Sequence, residues 1–165
     1  MTEHIENIKD LGSIVTSQLQ SGSKLCQLRN LLEKYDGTDW LNYVEFNDTK
    51  YTRNIAFRND FIDIMVICWN VRQSSGIHDH PDNGCLLKLL DGRLTEDIYM
   101  INDINNSSSK SFKLVKTKQL DKNQISYIQG KSGLHCISNN DDIVKTISLH
   151  IYSPSNYKTT YYNNS

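Results

Sequence analysis

A chain of 165 residues with 38% hydrophobic content can bury a core of its own without disulfide staples. Its formal net charge of -1, with Lys and Arg scattered rather than clustered, excludes a nucleic-acid stripe and a polybasic membrane surface and points to a small-molecule partner. There is no charged start followed by an apolar run, no apolar stretch near the roughly 18 residues that span a bilayer, and no CxxC among Cys26, Cys68, Cys85 and Cys136, so a cytoplasmic protein with reduced thiols is expected, with a monomer as the default.

From Glu3 to about Gln20, Ile5, Ile8, Leu11, Val15 and Leu19 recur at three- and four-residue steps, the stripe of an amphipathic helix. Leu25, Leu28, Leu31, Leu32 and Tyr35 repeat the pattern before the Asp36-Gly37 turn, and Trp40, Tyr43, Val44 and Phe46 make a third short helical segment. Past Asn47 the chain changes to β-type runs at Phe61 to Trp69, Gly84 to Leu90, Leu94 to Ile101, Ser111 to Val115, Gln124 to Gln129, His135 to Ser138 and Lys145 to Tyr152. Turn residues separate them at Asp91-Gly92, Asn102-Asp103, Gln129-Gly130 and Asn139-Asn140. The expectation is one mainly β domain over 1–165: a jelly-roll barrel or sandwich over 47–165, capped by two to three α-helices within 1–46. Asn105 to Ser109 and Asn163 to Ser165 read as solvated segments without chemistry.

Four of the five histidines, His78, His80, His135 and His150, lie in the β-type region past Asn47, and only His4 lies outside it. Two histidines one residue apart in a strand project to the same face, so His78 and His80 make half of a metal site. The order His78-x-His80, Cys85, Gly92, His135 and Asn139 resembles the two boxes of the cupin superfamily, with Cys85 where the first box usually has glutamate. The site then keeps three neutral imidazoles. An Fe(II) so held carries a charge near +2 rather than +1, which favours an anionic thiolate, and three facial ligands leave three positions open. Imidazole suits Zn, Cu, Ni and Fe alike, so spacing does not name the ion. Ser148, His150 and Tyr152 alternate with Leu149, Ile151 and Ser153, which puts the three polar side chains on one strand face where Ser148 can orient His150 and His150 can orient Tyr152.

Tyr51-Thr-Arg53-Asn, Ile67-Cys-Trp69, His78-Asp-His80 through Cys85-Leu-Leu-Lys-Leu-Leu, Gly133-Leu-His135 and Ser148-Leu-His150-Ile-Tyr152-Ser-Pro154 together resemble the cysteine dioxygenase type I family, in family order and up to about Pro154. The resemblance implies a cupin fold with one non-haem Fe(II) per chain and the addition of both atoms of O2 to the sulfur of L-cysteine. The product is cysteine sulfinic acid, on the catabolic route to taurine and sulfate. It implies that His78, His80 and His135 are the metal ligands, that Arg53 binds the substrate carboxylate with its planar fork, and that Tyr51 lines the pocket. Cys85 and Tyr152 match the family's thioether pair, a protein-derived cofactor that fixes the phenol near the metal, and Ser148 and His150 match its relay. These four are the catalytic candidates.

Other residues receive plainer readings. Asp79 faces away from the metal as a structural group, and Cys136 faces the opposite side as a packed thiol. Cys68 and Trp69 belong to the core, with Trp69 able to border the site, and Glu6, Glu33, Glu45 and Glu96 read as solvated carboxylates. Tyr157 to Tyr162 offers one short strand-like stretch where typical animal members continue with another strand-bearing segment, so the lid contacts and the far wall of the pocket are the part that the resemblance does not carry over. A dioxygenase for another small thiol such as 3-mercaptopropionate is disfavoured by Cys85, and a non-catalytic metal-binding cupin by Arg53 and the Ser148-His150-Tyr152 strand.

Overall fold

The computed structural model describes residues 4–102, 111–131 and 133–162; the stretches at Asn105 to Ser109 and Asn163 to Ser165 lie outside the described residues. The first apolar stripe forms helix α1 (Ile8–Gln20), opened by the Asn7 side chain, which accepts from the Asp10 N–H at 2.8 Å, and packed through Ile8, Leu11 and Val15. Ile5 falls outside the helix, in a parallel bridge with Tyr35. The second stripe divides into a 3-10 turn over Leu25–Leu28 and helix α2 (Arg29–Lys34). It stops there because the chain turns extended at Tyr35, where Ile5 donates to Lys34 O at 3.0 Å and Asp36 donates to Ile5 O at 3.2 Å. The third segment is another 3-10 turn, Asp39–Tyr43.

The strands are β1 (Thr52–Arg58), β2 (Asp63–Trp69), β3 (Ile77–His78), β4 (Cys85–Asp91), β5 (Arg93–Asn102), β6 (Ser111–Asp121), β7 (Ile125–Ile128), β8 (Leu134–Ser138), β9 (Thr146–Tyr152) and β10 (Tyr161–Tyr162). Sequence reasoning does not anticipate β1, because TRNIAFR has no clean alternation; pairing with β2 makes it a strand, in a register that sets Arg53 opposite Ile67. Strand β6 runs beyond the anticipated Val115, extended by its ladder to β5 as far as Arg93 opposite Asp121. Among the described residues the strands form two five-stranded sheets, ordered β1-β2-β9-β4-β7 and β10-β3-β8-β5-β6.

The first sheet is covered on both faces, which explains why β2 and β4 read as near-continuous apolar runs and why all seven residues of the alternating strand β9 are buried. Its outer residues Ile64, Val66, Cys68, Leu86, Leu90, Leu149 and Ile151 join the helical residues Ile8, Leu11, Leu25 and Leu32 in one core. Their alternates Met65, Ile67, Trp69, Cys85, Leu87, Leu89 and Tyr152 face the second sheet and pack with Leu94, Leu120 and Ile137 from it. Lys88, at an outer position of β4, is 4% exposed and spends its ammonium on the end of α2, donating to Leu32 O at 3.0 Å and Tyr35 O at 2.5 Å. The chemistry-bearing side chains lie between the sheets.

Candidate metal centre and its relay

His78, His80 and His135 are buried, and their ligand atoms lie within 4.8 Å of one another. They do not arrive as one strand face. Strand β3 ends at His78, so the anticipated His-x-His strand is replaced by a two-residue strand followed by a loop, and His80 is placed by its backbone N–H donating to Gly130 O at 3.3 Å. His78 sits opposite His135 in the β3–β8 ladder. The loop that carries the chain on to Cys85 is tight: Gly84 has φ +93°, and a Cβ there would meet Ile128 O at 2.7 Å, so glycine is required.

Each imidazole is oriented through its Nδ1. His78 Nδ1 lies 3.1 Å from Gly76 O, His80 Nδ1 2.9 Å from Gly133 O, and His135 Nδ1 2.8 Å from the Glu96 carboxylate. All three partners only accept, so each Nδ1 carries the proton and each Nε2 presents a lone pair. His80 Nε2 and His135 Nε2 are 2.9 Å apart, two acceptors facing each other with no proton between them. That is about the spacing of two nitrogens that share one ion at roughly 2.1 Å each, so the donor set fits a metal. Burial, together with the neighbouring His135, pushes the His78 imidazole down to about 3, and burial holds His80 well below its ordinary value, which keeps both neutral and ready to ligate.

Glu96 corrects the sequence reading. Instead of a solvated carboxylate it is 0% exposed on β5, accepting from Ser126 Oγ at 2.6 Å and Lys118 Nζ at 3.1 Å as well as from His135. Burial alone would raise its carboxyl, but the hydrogen bonds from His135 and Ser126 and the charge of Lys118 outweigh that and hold it at about 2. A signal was available: Glu96 shares a strand face with Leu94, which is fully buried.

On β9, Ser148, His150 and Tyr152 are all buried and face the metal side of the first sheet. Ser148 Oγ lies 2.8 Å from His150 Nε2, and His150 Nδ1 lies 3.4 Å from Tyr152 Oη. Trp69 fixes the direction of this chain. Its indole N–H can only donate, and it donates to Ser148 Oγ at 2.9 Å. If His150 also donated to Ser148, the buried serine proton would lack a partner, at a cost of about 1–3 kcal/mol. Ser148 therefore donates to His150 Nε2. Burial keeps His150 neutral, so its one proton sits on Nδ1, beside both Tyr152 Oη and Cys85 Sγ. Trp69 was read as core able to border the site; its polar atom does more than border it.

Cys85 stands directly opposite Tyr152 in the β4–β9 ladder. Burial pushes the Cys85 thiol up to about 12 and the Tyr152 phenol well above its ordinary value. The Arg53 guanidinium is centred 5.3 Å over the Tyr152 ring, and Tyr51 stacks on Trp69 with centroids 4.6 Å apart. Tyr51, Arg53, Trp69, His78, His150 and Tyr152 thus line one small cavity. Among the described residues no carboxylate pairs with Arg53, whereas Arg29, Arg58, Arg72 and Arg93 each have one.

The remaining candidates fall outside the cavity. Asp79 points to the C-terminal segment, accepting from Thr160 N at 2.8 Å, Tyr157 Oη at 3.0 Å and Tyr162 Oη at 3.3 Å. Cys136 is only partly buried, its sulfur 3.0 Å from Ser74 Oγ. Asn139 is a loop anchor, donating to Val144 O at 2.8 Å.

The model of the family described as cysteine dioxygenase type I matches residues 5–165. The chain belongs to the cysteine dioxygenase type I family. The family's Danio rerio member, named cysteine dioxygenase type 1, is 35% identical over 153 residues, which cover 90% of this chain and 75% of that protein. The Homo sapiens member of the same name is 35% identical over 133 residues, and there the match spans 78% of this chain and 64% of the relative. A solved Klebsiella pneumoniae protein with a double-stranded β-helix domain superposes with a TM-score of 0.56 at 15% identity, over 74% of this chain and 87% of that one. A Streptococcus pyogenes protein of unknown function superposes with a TM-score of 0.52 at 13% identity, over 72% and 87%. The family's fold is the cupin fold, and the two facing sheets are its double-stranded β-helix.

Proposed function

We propose that this chain is a cysteine dioxygenase that oxidises the thiol of L-cysteine with O2 to cysteine sulfinic acid, using one Fe(II) held by His78, His80 and His135. The observation that carries the substrate class is Arg53: a partly buried guanidinium without a carboxylate partner among the described residues, beside a three-imidazole cluster. Such a group calls for an anion, and its fork matches a carboxylate bidentately. Bound iron would supply the redox centre at which the thiolate and dioxygen meet. Both oxygen atoms go to one sulfur, so the reaction needs no outside reductant.

The protein's own groups divide the remaining work. Arg53 and Tyr51 hold the carboxylate end, which fixes the short substrate with its sulfur toward the imidazoles. Ser148 and His150 position the Tyr152 hydroxyl, whose proton serves developing charge on the substrate or on oxygen. Cys85 and Tyr152 form the thioether: the S–H and one ring C–H are replaced by a C–S bond, and the two hydrogens leave with two electrons to dioxygen. The cross-strand pairing of these two residues supports that assignment. The four cysteines occur as free thiols, which suits the cytosol.

The test is oxygen uptake by the iron-loaded protein with L-cysteine and with 3-mercaptopropionate, alongside an Arg53→Ala variant. The expected result is a preference for L-cysteine and a loss of 10²-fold or more in kcat/KM on removing the guanidinium, a magnitude in line with losing a charged hydrogen-bonded pair. A preference for 3-mercaptopropionate would overturn the substrate, and an unaltered Arg53→Ala variant would remove Arg53 from its role.

A further inference from the structure

Outside the cavity, Tyr161 of β10 lines an adjoining surface pocket together with Tyr51, Thr52 and Arg53. Asp79, between two metal ligands, grips this segment through Thr160 N, Tyr157 Oη and Tyr162 Oη, and its own N–H donates to Thr160 O at 3.1 Å. The grip sets Tyr161 opposite His78 in the β10–β3 ladder, with ring centroids 5.6 Å apart. From there the Tyr161 hydroxyl lies 2.9 Å from Tyr51 Oη and accepts from Arg53 Nη1 at 3.4 Å. Two phenols and one guanidinium therefore converge at the mouth of the site.

We propose that Tyr161 is a specificity-determining residue that donates its hydroxyl to the substrate carboxylate together with Arg53 and Tyr51. This inference rests on the cysteine-oxidising reading above and deepens it. A carboxylate offers about four lone-pair directions, two of which a guanidinium fork fills, so two phenolic donors can take the others. Tyr161 is 49% exposed, so it stands at the rim, where the carboxylate end of a short thiol entering sulfur-first would come to rest. A thiol without a carboxylate leaves both phenols and the guanidinium without their anion, and sites built around such donors reject analogues of that kind.

Anaerobic calorimetry tests this on the iron-loaded chain and its Tyr161→Phe variant, with L-cysteine and with cysteamine, the same thiol and amine without the carboxylate. The variant keeps the ring and removes only the oxygen. The expected result is an about tenfold weaker Kd for L-cysteine with the Kd for cysteamine unaltered, the size of one lost hydrogen bond to a charged group. Equal loss for both thiols, or loss for neither, overturns the role of Tyr161 while leaving the reading of function intact. A wild-type protein that does not favour L-cysteine over cysteamine overturns that reading and this inference together.

Discussion

The two faces of the first sheet use alternate residues of the same strands for opposite ends. On β9, Ile147, Leu149 and Ile151 face the helices while Ser148, His150 and Tyr152 face the second sheet, and all six are buried. The outer face is held by apolar area, which is non-directional and tolerant of small shifts. Inner-face polar groups must each find a partner with the right donor or acceptor, because an unpaired buried polar group costs about 1–3 kcal/mol. The lesson is a separation of duties: outer-face substitutions should tell mainly on stability, those at the metal centre mainly on the ion and the chemistry.

The sharpest way to break that separation is at a proposed ligand. His80→Ala removes one of three imidazoles and should abolish metal retention, read as metal per chain by elemental analysis after dialysis against a weak chelator. The fold should survive, since the helical core does not touch His80. One full equivalent of retained metal would mean that the three histidines are not the ligand set. On the outer face, Leu149→Ala should do the reverse. Leu149 is fully buried against the helices, so its truncation should cost about 2–5 kcal/mol in denaturant unfolding while metal content stays unaltered. Loss of metal in that variant at native denaturant concentration would show that the two faces are coupled.

Both faces were unequally legible in the sequence. The alternation of Ser148, His150 and Tyr152 with apolar neighbours was visible because period 2 is intrinsic to a strand, and the burial of all seven residues of β9 carries it through. The convergence of His78 and His80 was also anticipated, yet for a reason that the structure replaces: a loop stitched to Gly130 and Gly133, not a strand face, brings His80 in. Strand β1 was missed because it is half-buried and owes its conformation to β2, a tertiary effect that no local pattern records. Glu96 was misread for a similar reason. A carboxylate in a polar stretch looks solvated until its strand register puts it beside Leu94 and under His135.

Glu96 sharpens the comparison further, since its contact with the proposed ligand set is through His135 Nδ1. Glu96→Gln keeps the shape and removes the charge that fixes the His135 proton on Nδ1. Metal affinity should fall about 10–100-fold, measured by competition with a coloured chelator, with the ion still bound at high concentration. An unaltered affinity would make Glu96 a packing group that happens to touch a ligand.

The smallest effect separates the faces by pH. The outer residues of β2, β4 and β9 include no histidine, whereas the inner side holds His150, and His78 adjoins it. Burial depresses both imidazoles in the folded protein, His150 well below its ordinary 6.5 and His78 to about 3. A depressed folded value means that the unfolded chain takes up the proton first as pH falls. The associated stability is therefore complete above about pH 6.5 and lost below it, each histidine adding a slope of up to about 1.4 kcal/mol per pH unit. For His78 the loss continues to about pH 3, where the folded form also binds its proton. Urea unfolding of the chelator-treated protein at pH 7.5, 6.0 and 5.0 should show this decline, and His150→Gln should make it shallower by one proton's worth while Leu149→Ala lowers the whole curve without altering its slope. Identical slopes in wild type and His150→Gln would mean that His150 is already charged in the folded state, which would undo the proton direction assigned from Trp69 through Ser148 to His150.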